Sequence, residues 1–325
     1  MNRLPAEWEP HEALLLALPH EHTDWEPYLE EILEAYEGFL RAITRFEPVI
    51  VLCNDTKKAK KRLGHLPNLH LVQARFNDTW IRDFGPIDVE ESGLMRAYDF
   101  TFNAWGDKFG SSLDNAITEF LHTQRVLTGT CKKIDLILEG GSIESNGEGV
   151  LLTTTTCLLN PNRNWALSKE TLGEKLSQLF GLEKILWLDH GHLEGDDTDA
   201  HIDTLARFIT PDTIAYVTCK DPNDSHFGPL KKMEEELKRT HFSLLPLPLP
   251  KPIIYDDHRL PATYANFIFV NGGLIVPTYN QPSDAIALNT LQNALPHLEV
   301  VGVDARVFIR QHGSLHCACM QRFAR

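Results

Sequence analysis

The chain has 325 residues, with 31 Lys and Arg against 45 Asp and Glu, a net charge of −14 with His neutral. Its 42% apolar and 23% charged content is that of a globular protein and excludes disorder. The acidic balance disfavours nucleic acid and anionic membrane as partners, since both need a positive face.

The first apolar run, 13–18 (ALLLAL), follows no basic segment and precedes no small-residue cleavage site. It is far short of the roughly 20 residues of a membrane helix. It predicts a buried strand in a cytoplasmic protein. Apolar residues at three- and four-residue intervals predict helices over 26–46, 112–125, 168–180, 229–240 and 283–294. Ser168 and Ser283-Asp284 mark two of the starts. β-like runs fall at 49–52, 69–72, 150–154, 213–218 and 267–270. Residues 244–252 (LLPLPLPKP) alternate apolar residues with proline, which suits an extended edge segment. The cysteines Cys53, Cys131, Cys157, Cys219, Cys317 and Cys319 form no CxxC pair and read as free thiols.

No linker or charge block divides the chain, so one domain over 1–325 is expected. One pattern recurs: a short strand, a turn and a second apolar strand, at 81–100, 138–157, 201–219 and 264–280. Turn signals fall at Ser92-Gly93, Asn146-Gly147, Pro211-Asp212 and Asn271-Gly272-Gly273. These turns lie about 54, 65 and 60 residues apart, within the range of repeat architectures. Residues 313–321 resemble the first strand of a fifth copy, with 13–18 as its expected partner. Five such units fill the chain, and pairing the termini closes a ring and protects sheet edges.

Reactive residues gather at one end of these hairpins. The first strands are expected to begin with Arg82-Asp83, Glu139-Gly140-Gly141, His201-Ile202-Asp203 and the segment holding Cys317. In a radial array such ends converge, which predicts one site of Asp83, Glu139, His201, Asp203 and Cys317. His201 and Asp203, two apart, would share a strand face. A cysteine needs thiolate character to attack an electrophile, and His serves as general acid and base. Carboxylates around a nucleophile oppose its ionisation unless the substrate brings a cation. A guanidinium does so, and offers a planar N–H fork that carboxylates grip bidentately. Trp80, three residues before Asp83, is expected to pack on that cation. Cys319 is the rival nucleophile.

Taken singly, each residue also has a structural reading: a surface turn for Asp83, a Gly-Gly turn for Glu139, a structural His–Asp pair, a core thiol. The competing class is a metal site, because His190, His192, Asp196, Asp197, Asp199, His201 and Asp203 crowd one segment, with His20 and His22 elsewhere. Their spacing fits neither HExxH nor paired CxxC, so no metal is expected. Gly140-Gly141 and Gly272-Gly273 lack the pattern of a phosphate loop.

These motifs resemble the agmatine deiminase family of the guanidine-modifying pentein superfamily. The resemblance rests on 4–12 (LPAEWEPHE), 77–86 (NDTWIRDFGP), 102–106 (FNAWG), 138–143 (LEGGSI), 195–203 (GDDTDAHID) and His316-Cys317. It implies an α/β five-bladed pseudo-symmetric propeller, the pentein fold. It also implies cofactor-free hydrolysis of agmatine to N-carbamoylputrescine and ammonia, a step of putrescine and polyamine biosynthesis, and allows a homo-oligomer. On this reading Cys317 attacks the guanidinium carbon and His201 is the acid and base. Asp83 and Asp203 clamp the guanidinium, with Glu139 on another face. Two departures stand out: Ala200 replaces the family's usual Gly, and 311–315 (QHGSL) replaces a glycine-rich run with Asn. The alternatives are a deiminase of free arginine or peptidyl-arginine, and a non-catalytic protein that binds a guanidino ligand.

Overall fold

The computed structural model describes residues 2–324. The chain is a mixed α/β fold in which one unit recurs: an antiparallel strand pair, a helix, then a strand parallel to the second. Ile87–Glu91 and Leu94–Thr101 pair antiparallel, and Thr130–Ile137 returns parallel after the helix Ile117–Thr123. Ile143–Ser145, Val150–Thr154 and Lys184–Leu188 repeat this around Lys169–Phe180. Ala206–Thr210, Thr213–Thr218 and Ser243–Pro248 do so around Phe227–Leu237. Ile268–Val270, Gly273–Thr278 and Glu299–Asp304 do so around Pro282–Ala294.

The remaining sheet joins the two ends of the chain. Cys319–Phe323 pairs antiparallel with His11–Ala17, with Cys319 opposite Leu16. Val49–Cys53 and Leu69–Gln73 then follow in parallel. Of the expected partnership of 313–321 with 13–18, the part at 319–321 is present, opposite 14–16, whereas 313–318 precede the strand. These are separate sheets of three or four strands, with a small ribbon of Ile254–Tyr255 and His258–Arg259 beside them.

Local sequence explains the elements. Leu14, Leu15 and Leu16 are fully buried, so their strand shows no alternation. Each such leucine contributes about 1.5–3 kcal/mol of burial. The helix Leu29–Ile43 buries Ile32, Leu33, Tyr36, Phe39, Leu40 and Ile43 at helical spacing. Ser168 caps its helix by accepting from the Thr171 N–H, and Gly181 ends it in the left-handed conformation. The proline-rich segment is an edge strand as far as Pro248, as expected, and 249–252 continue outside the sheet. The helix start at Ser283-Asp284 lies slightly earlier: Gln281 caps it, with Asp284 completing a capping box.

The helix Thr56–Leu63 has no counterpart among the expected elements. Its sequence TKKAKKRL buries only Ala59 and Leu63, too few for an apolar period, and Asp55 and Gly64 cap it. Among the described residues no helix is long and apolar enough to cross a membrane.

Candidate active site

The reactive residues do not begin the first strands of the hairpins. They sit in one-turn helices just upstream. Asp83 lies in Ile81–Phe84, Glu139 directly precedes Gly140–Ser142, and His201 directly precedes Ile202–Thr204, which contains Asp203. Bonds spanning three residues close these turns, from Asp83 N–H to Trp80 O at 3.0 Å and from Ser142 N–H to Glu139 O at 3.1 Å. A single turn is too short to leave a period in the sequence. Strand alternation therefore governs neither His201 with Asp203 nor Cys317 with Cys319. Cys317 stands in a turn ahead of Cys319–Phe323, whereas Cys319 is fully buried with its thiol toward His316 O at 3.7 Å.

The turns bring all five predicted groups together. Cys317 is 6% exposed, and Asp83, Glu139, His201 and Asp203 are 4% or less. The Cys317 Sγ is 3.5 Å from Asp203 Oδ2 and 3.3 Å from Asn266 Nδ2. His201 Nδ1 is 3.7 Å from Asp83 Oδ1. Asp83 accepts from the Gly141 N–H and from the Trp105 indole, each at 2.9 Å. A Cβ on Gly141 would meet His201 Nδ1 at 2.7 Å, Asp83 Oδ1 at 2.8 Å and Asp203 Oδ2 at 3.1 Å. Only glycine lets the backbone approach this closely.

Glu139 is paired with an arginine that the sequence did not single out. Both its oxygens accept from Arg163 Nε, at 2.9 and 3.0 Å, with neither side chain exposed. Its carboxylate, the Cys157 thiol and a His201 nitrogen lie within 4.8 Å of one another. Glu139 thus lies beside His201, with its oxygens held by Arg163. This is the one group of potential metal ligands gathered among the described residues, and the Arg163 cation already occupies the Glu139 oxygens. The His- and Asp-rich segment 190–203 does not itself form such a group.

Burial and mutual repulsion set the charges. Burial, Asp203 and Asp83 push the Cys317 thiol well above its ordinary 9.0. Burial lowers His201 to about 3. Burial, Asp203 and Glu139 raise Asp83 well above the carboxylate range. Burial works the same way on Asp203, but the hydrogen bond and charge of His316 overcome it and hold that carboxyl low. Burial thus disfavours charge on the Cys317 thiol, the His201 imidazole and the Asp83 carboxyl alike, while the Gly141 and Trp105 N–H groups favour the ionised form of Asp83. Both His201 nitrogens and Asp203 Oδ1 lack a hydrogen-bond partner among the described residues. Buried polar atoms are normally paired, so these three await one.

A narrow cleft reaches Cys317 and Asp83. Trp80, Trp105 and Phe109 line it, with Asp24, Asp78 and Asp197 among the remaining wall residues. Trp80 is packed on Trp25 at 5.6 Å and lies so close to Gly313 that a Cβ there would meet its ring at 2.5 Å. Trp105 adopts φ 55°, rare for an aromatic residue, which turns its indole onto Asp83. Burial, Asp24 and Asp197 raise Asp78 to about 7, and burial raises Asp197 to about 6.

The departures at Ala200 and 311–315 are accommodated. Ala200 has φ 64°, where glycine is at ease, and its N–H and C=O are tied to Asp196 Oδ2 at 2.6 Å and the Thr154 hydroxyl at 2.7 Å. Gln311 donates to Asp24 O at 2.9 Å and to the Tyr28 hydroxyl at 2.7 Å, and the His312 ring contacts Gly195 O at 2.6 Å. Sequence reasoning missed Arg163, Asn266, His316, Glu7 and the role of Trp105. The residues 4–12, 102–106 and His316 were visible as motifs, whereas Arg163 and Asn266 carried no signal of their own.

The family model of Porphyromonas-type peptidyl-arginine deiminase matches residues 3–322. An agmatine deiminase of Pseudomonas aeruginosa is 33% identical, over 98% of this chain and 95% of its own. A cysteine-to-serine variant of C. jejuni agmatine deiminase with substrate bound superposes with a TM-score of 0.98 at 51% identity, covering 100% and 97% of the two chains. DDAH from Pseudomonas aeruginosa shares the fold, with a TM-score of 0.52 at 13% identity over 96% and 99%. With buried acids and a thiol gathered at one cleft, the chain belongs to the Porphyromonas-type peptidyl-arginine deiminase family.

Proposed function

We infer that this chain is an agmatine deiminase, a hydrolase that converts agmatine and water to N-carbamoylputrescine and ammonia. One observation carries the choice of substrate. The cleft that ends at Cys317 is lined by three further carboxylates, Asp24, Asp78 and Asp197. Crowded acids of this kind favour a bound cation. The terminal ammonium of agmatine suits them. Free arginine would bring an α-carboxylate among them, and peptidyl-arginine would bring amides without a cation. The five units act as blades of one ring, with the turns that hold the reactive groups facing its centre.

The chemistry follows from the charges. The guanidinium enters between Asp83 and Asp203 and favours the ionised form of Asp83, any proton on that carboxyl leaving to solvent. Its positive charge offsets the acids that oppose the Cys317 thiolate. As the sulfur attacks the central carbon, the Cys317 thiol proton passes to His201, which hands it to the departing nitrogen, and that nitrogen leaves as ammonia. A thiouronium remains on Cys317. His201 then takes a proton from water, whose oxygen attacks the same carbon, and the thiolate leaves. Glu139, fixed by Arg163, orients and polarises His201. Trp80 and Trp105 wall the planar cation.

Ammonia release from agmatine, arginine and a peptidyl-arginine at equal concentration tests this. Agmatine should exceed the others by at least about 100-fold in kcat/KM, the loss that unpaired buried polar groups impose. Comparable rates for arginine would reject the assignment. Asp78→Asn with Asp197→Asn should narrow the gap.

A further inference from the structure

Asp203 is one end of a buried chain of polar groups that leads away from the cleft. Its Oδ2 is 2.7 Å from His316 Nδ1, and His316 Nε2 is 2.7 Å from Glu7 Oε1. Both contacts are short, and the ring is fully buried. A neutral imidazole has one N–H, so two such contacts with carboxylates require a second hydrogen. Without it a ring lone pair would face a carboxylate oxygen.

The surroundings keep that hydrogen off Glu7. Glu7 also meets Arg207 Nη2 at 2.5 Å, Gln321 Nε2 at 2.9 Å and Arg82 Nη1 at 3.1 Å. Arg207 continues to Glu144 at 2.5 Å. Arg207 thus joins Glu7 to Glu144, whose carboxyl burial and Glu7 raise to about 8, while Asp203 and Glu7 hold the two nitrogens of the His316 ring. Asn266 Oδ1 accepts from the His316 backbone N–H at 2.9 Å, while Asn266 Nδ2 reaches the Cys317 thiol, so the His316 backbone and the nucleophile share one holder. Burial, Arg207 and Arg82 pull the ring below its ordinary value against the opposing pull of Glu7 and Asp203, so the two 2.7 Å contacts to carboxylates, and not that balance, call for the second hydrogen. Burial opposes charge on Glu7 as well, but Arg207, His316 and Arg82 keep Glu7 well below the carboxylate range, so it is not the holder of the proton.

We propose that His316 is a positioning residue: held by Glu7, it carries a hydrogen on each ring nitrogen and presents Asp203 as an ionised acceptor whose free Oδ1 receives the substrate. The N-terminal segment therefore serves the reaction from behind the site, without touching substrate. This rests on the reading of Asp203 as a guanidinium clamp, but the ring's hydrogens can be observed with no substrate present.

The test uses the full chain with ¹⁵N-labelled histidine. At about pH 8, where a free imidazole is neutral, the His316 signals should report both nitrogens protonated. A single-hydrogen tautomer there overturns the proposal. Glu7→Gln should release one hydrogen and bring the alkaline limb of kcat down by about one pH unit or more, with KM little changed. An unmoved limb in a folded Glu7→Gln protein also overturns it. His316→Asn, which keeps a donor for Asp203, should retain about tenfold more kcat than His316→Ala; equal losses count against positioning. Should Glu7→Gln fail to fold, the spectrum of the unaltered chain decides alone. A doubly protonated His316 in an enzyme that prefers arginine would leave this proposal standing and reject agmatine.

Discussion

The Cys317 sulfur stands 3.5 Å from the Asp203 carboxylate, and among the described residues its side-chain hydrogen-bond contacts are with Asp203 and Asn266, neither of them a cation. Most reactive cysteines are activated by a neighbouring positive charge. Here burial, Asp203 and Asp83 all raise the thiol above 9.0, and burial leaves His201 near 3. The missing cation is the substrate's own. The free enzyme should therefore show no thiolate absorbance for Cys317 below about pH 9, and slow alkylation at neutral pH. A substrate-like guanidinium that leaves the sulfur accessible should raise the thiolate fraction. A thiolate in the free enzyme at neutral pH would contradict this account.

Asp83 gives the complementary case. Its folded pKa is raised, so the folded state binds a proton that the unfolded state releases near about 4. Raising pH through the window above that value costs stability. Asp83→Asn removes this cost while deleting the clamp. At about pH 8 the variant without substrate should be more stable than the natural chain by about 0.5–2 kcal/mol, the scale of function–stability trade-offs. Its turnover should be nearly abolished, since a buried ion pair that loses one partner costs about 3–5 kcal/mol. Thermal melts across pH, read beside ammonia release, check both signs.

Much of this site was legible in the sequence because the same hairpin recurs and carries a reactive group at the same end. Asp83, Glu139, His201, Asp203 and Cys317 could be gathered before any contact was known. Their local conformation could not. One-turn helices such as Ile81–Phe84 leave no period, so the inference that His201 and Asp203 share a strand face failed although the two groups do converge. Arg163 was invisible for another reason. It lies 24 residues from Glu139 in a loop, and only the folded chain brings it to the carboxylate. Trp105 needed a left-handed turn that a motif cannot specify. The helix Thr56–Leu63 was hidden by its charge, though Asp55 and Gly64 mark its ends.

Ala200 is a strained residue, a non-glycine side chain held at φ 64°. A left-handed conformation costs a non-glycine residue about 1–2 kcal/mol, and glycine's extra freedom in the unfolded chain returns about 0.5–1 kcal/mol of that. Ala200→Gly should therefore stabilise the protein by roughly 0.5–1 kcal/mol. Asp196 and Thr154 already fix the backbone on both sides of Ala200, so His201 should stay in place and kcat should change less than about twofold. A large gain in kcat would mean that the strain displaces His201 in the natural chain.

Gly141 offers the sharpest test of convergence, because its space is defined by the reacting groups themselves. The Cβ of Gly141→Ala would lie 2.7 Å from His201 Nδ1, 2.8 Å from Asp83 Oδ1 and 3.1 Å from Asp203 Oδ2. Real carbon atoms stay farther from polar neighbours, so at least two of these groups must move. Overpacking of this kind costs about 1–3 kcal/mol of stability, which a chain of this size should tolerate. Catalysis tolerates far less, since a displacement of about 1 Å can cost 100-fold in rate. Gly141→Ala should thus fold, melt a few degrees lower and lose at least about 100-fold in kcat. Gly38→Ala is the control, because a Cβ there meets nothing within 4 Å. It should leave kcat unchanged and, lying inside the helix Leu29–Ile43, raise the melting temperature slightly. A Gly141→Ala enzyme with near-natural kcat would show that Asp83, His201 and Asp203 do not act together at this point.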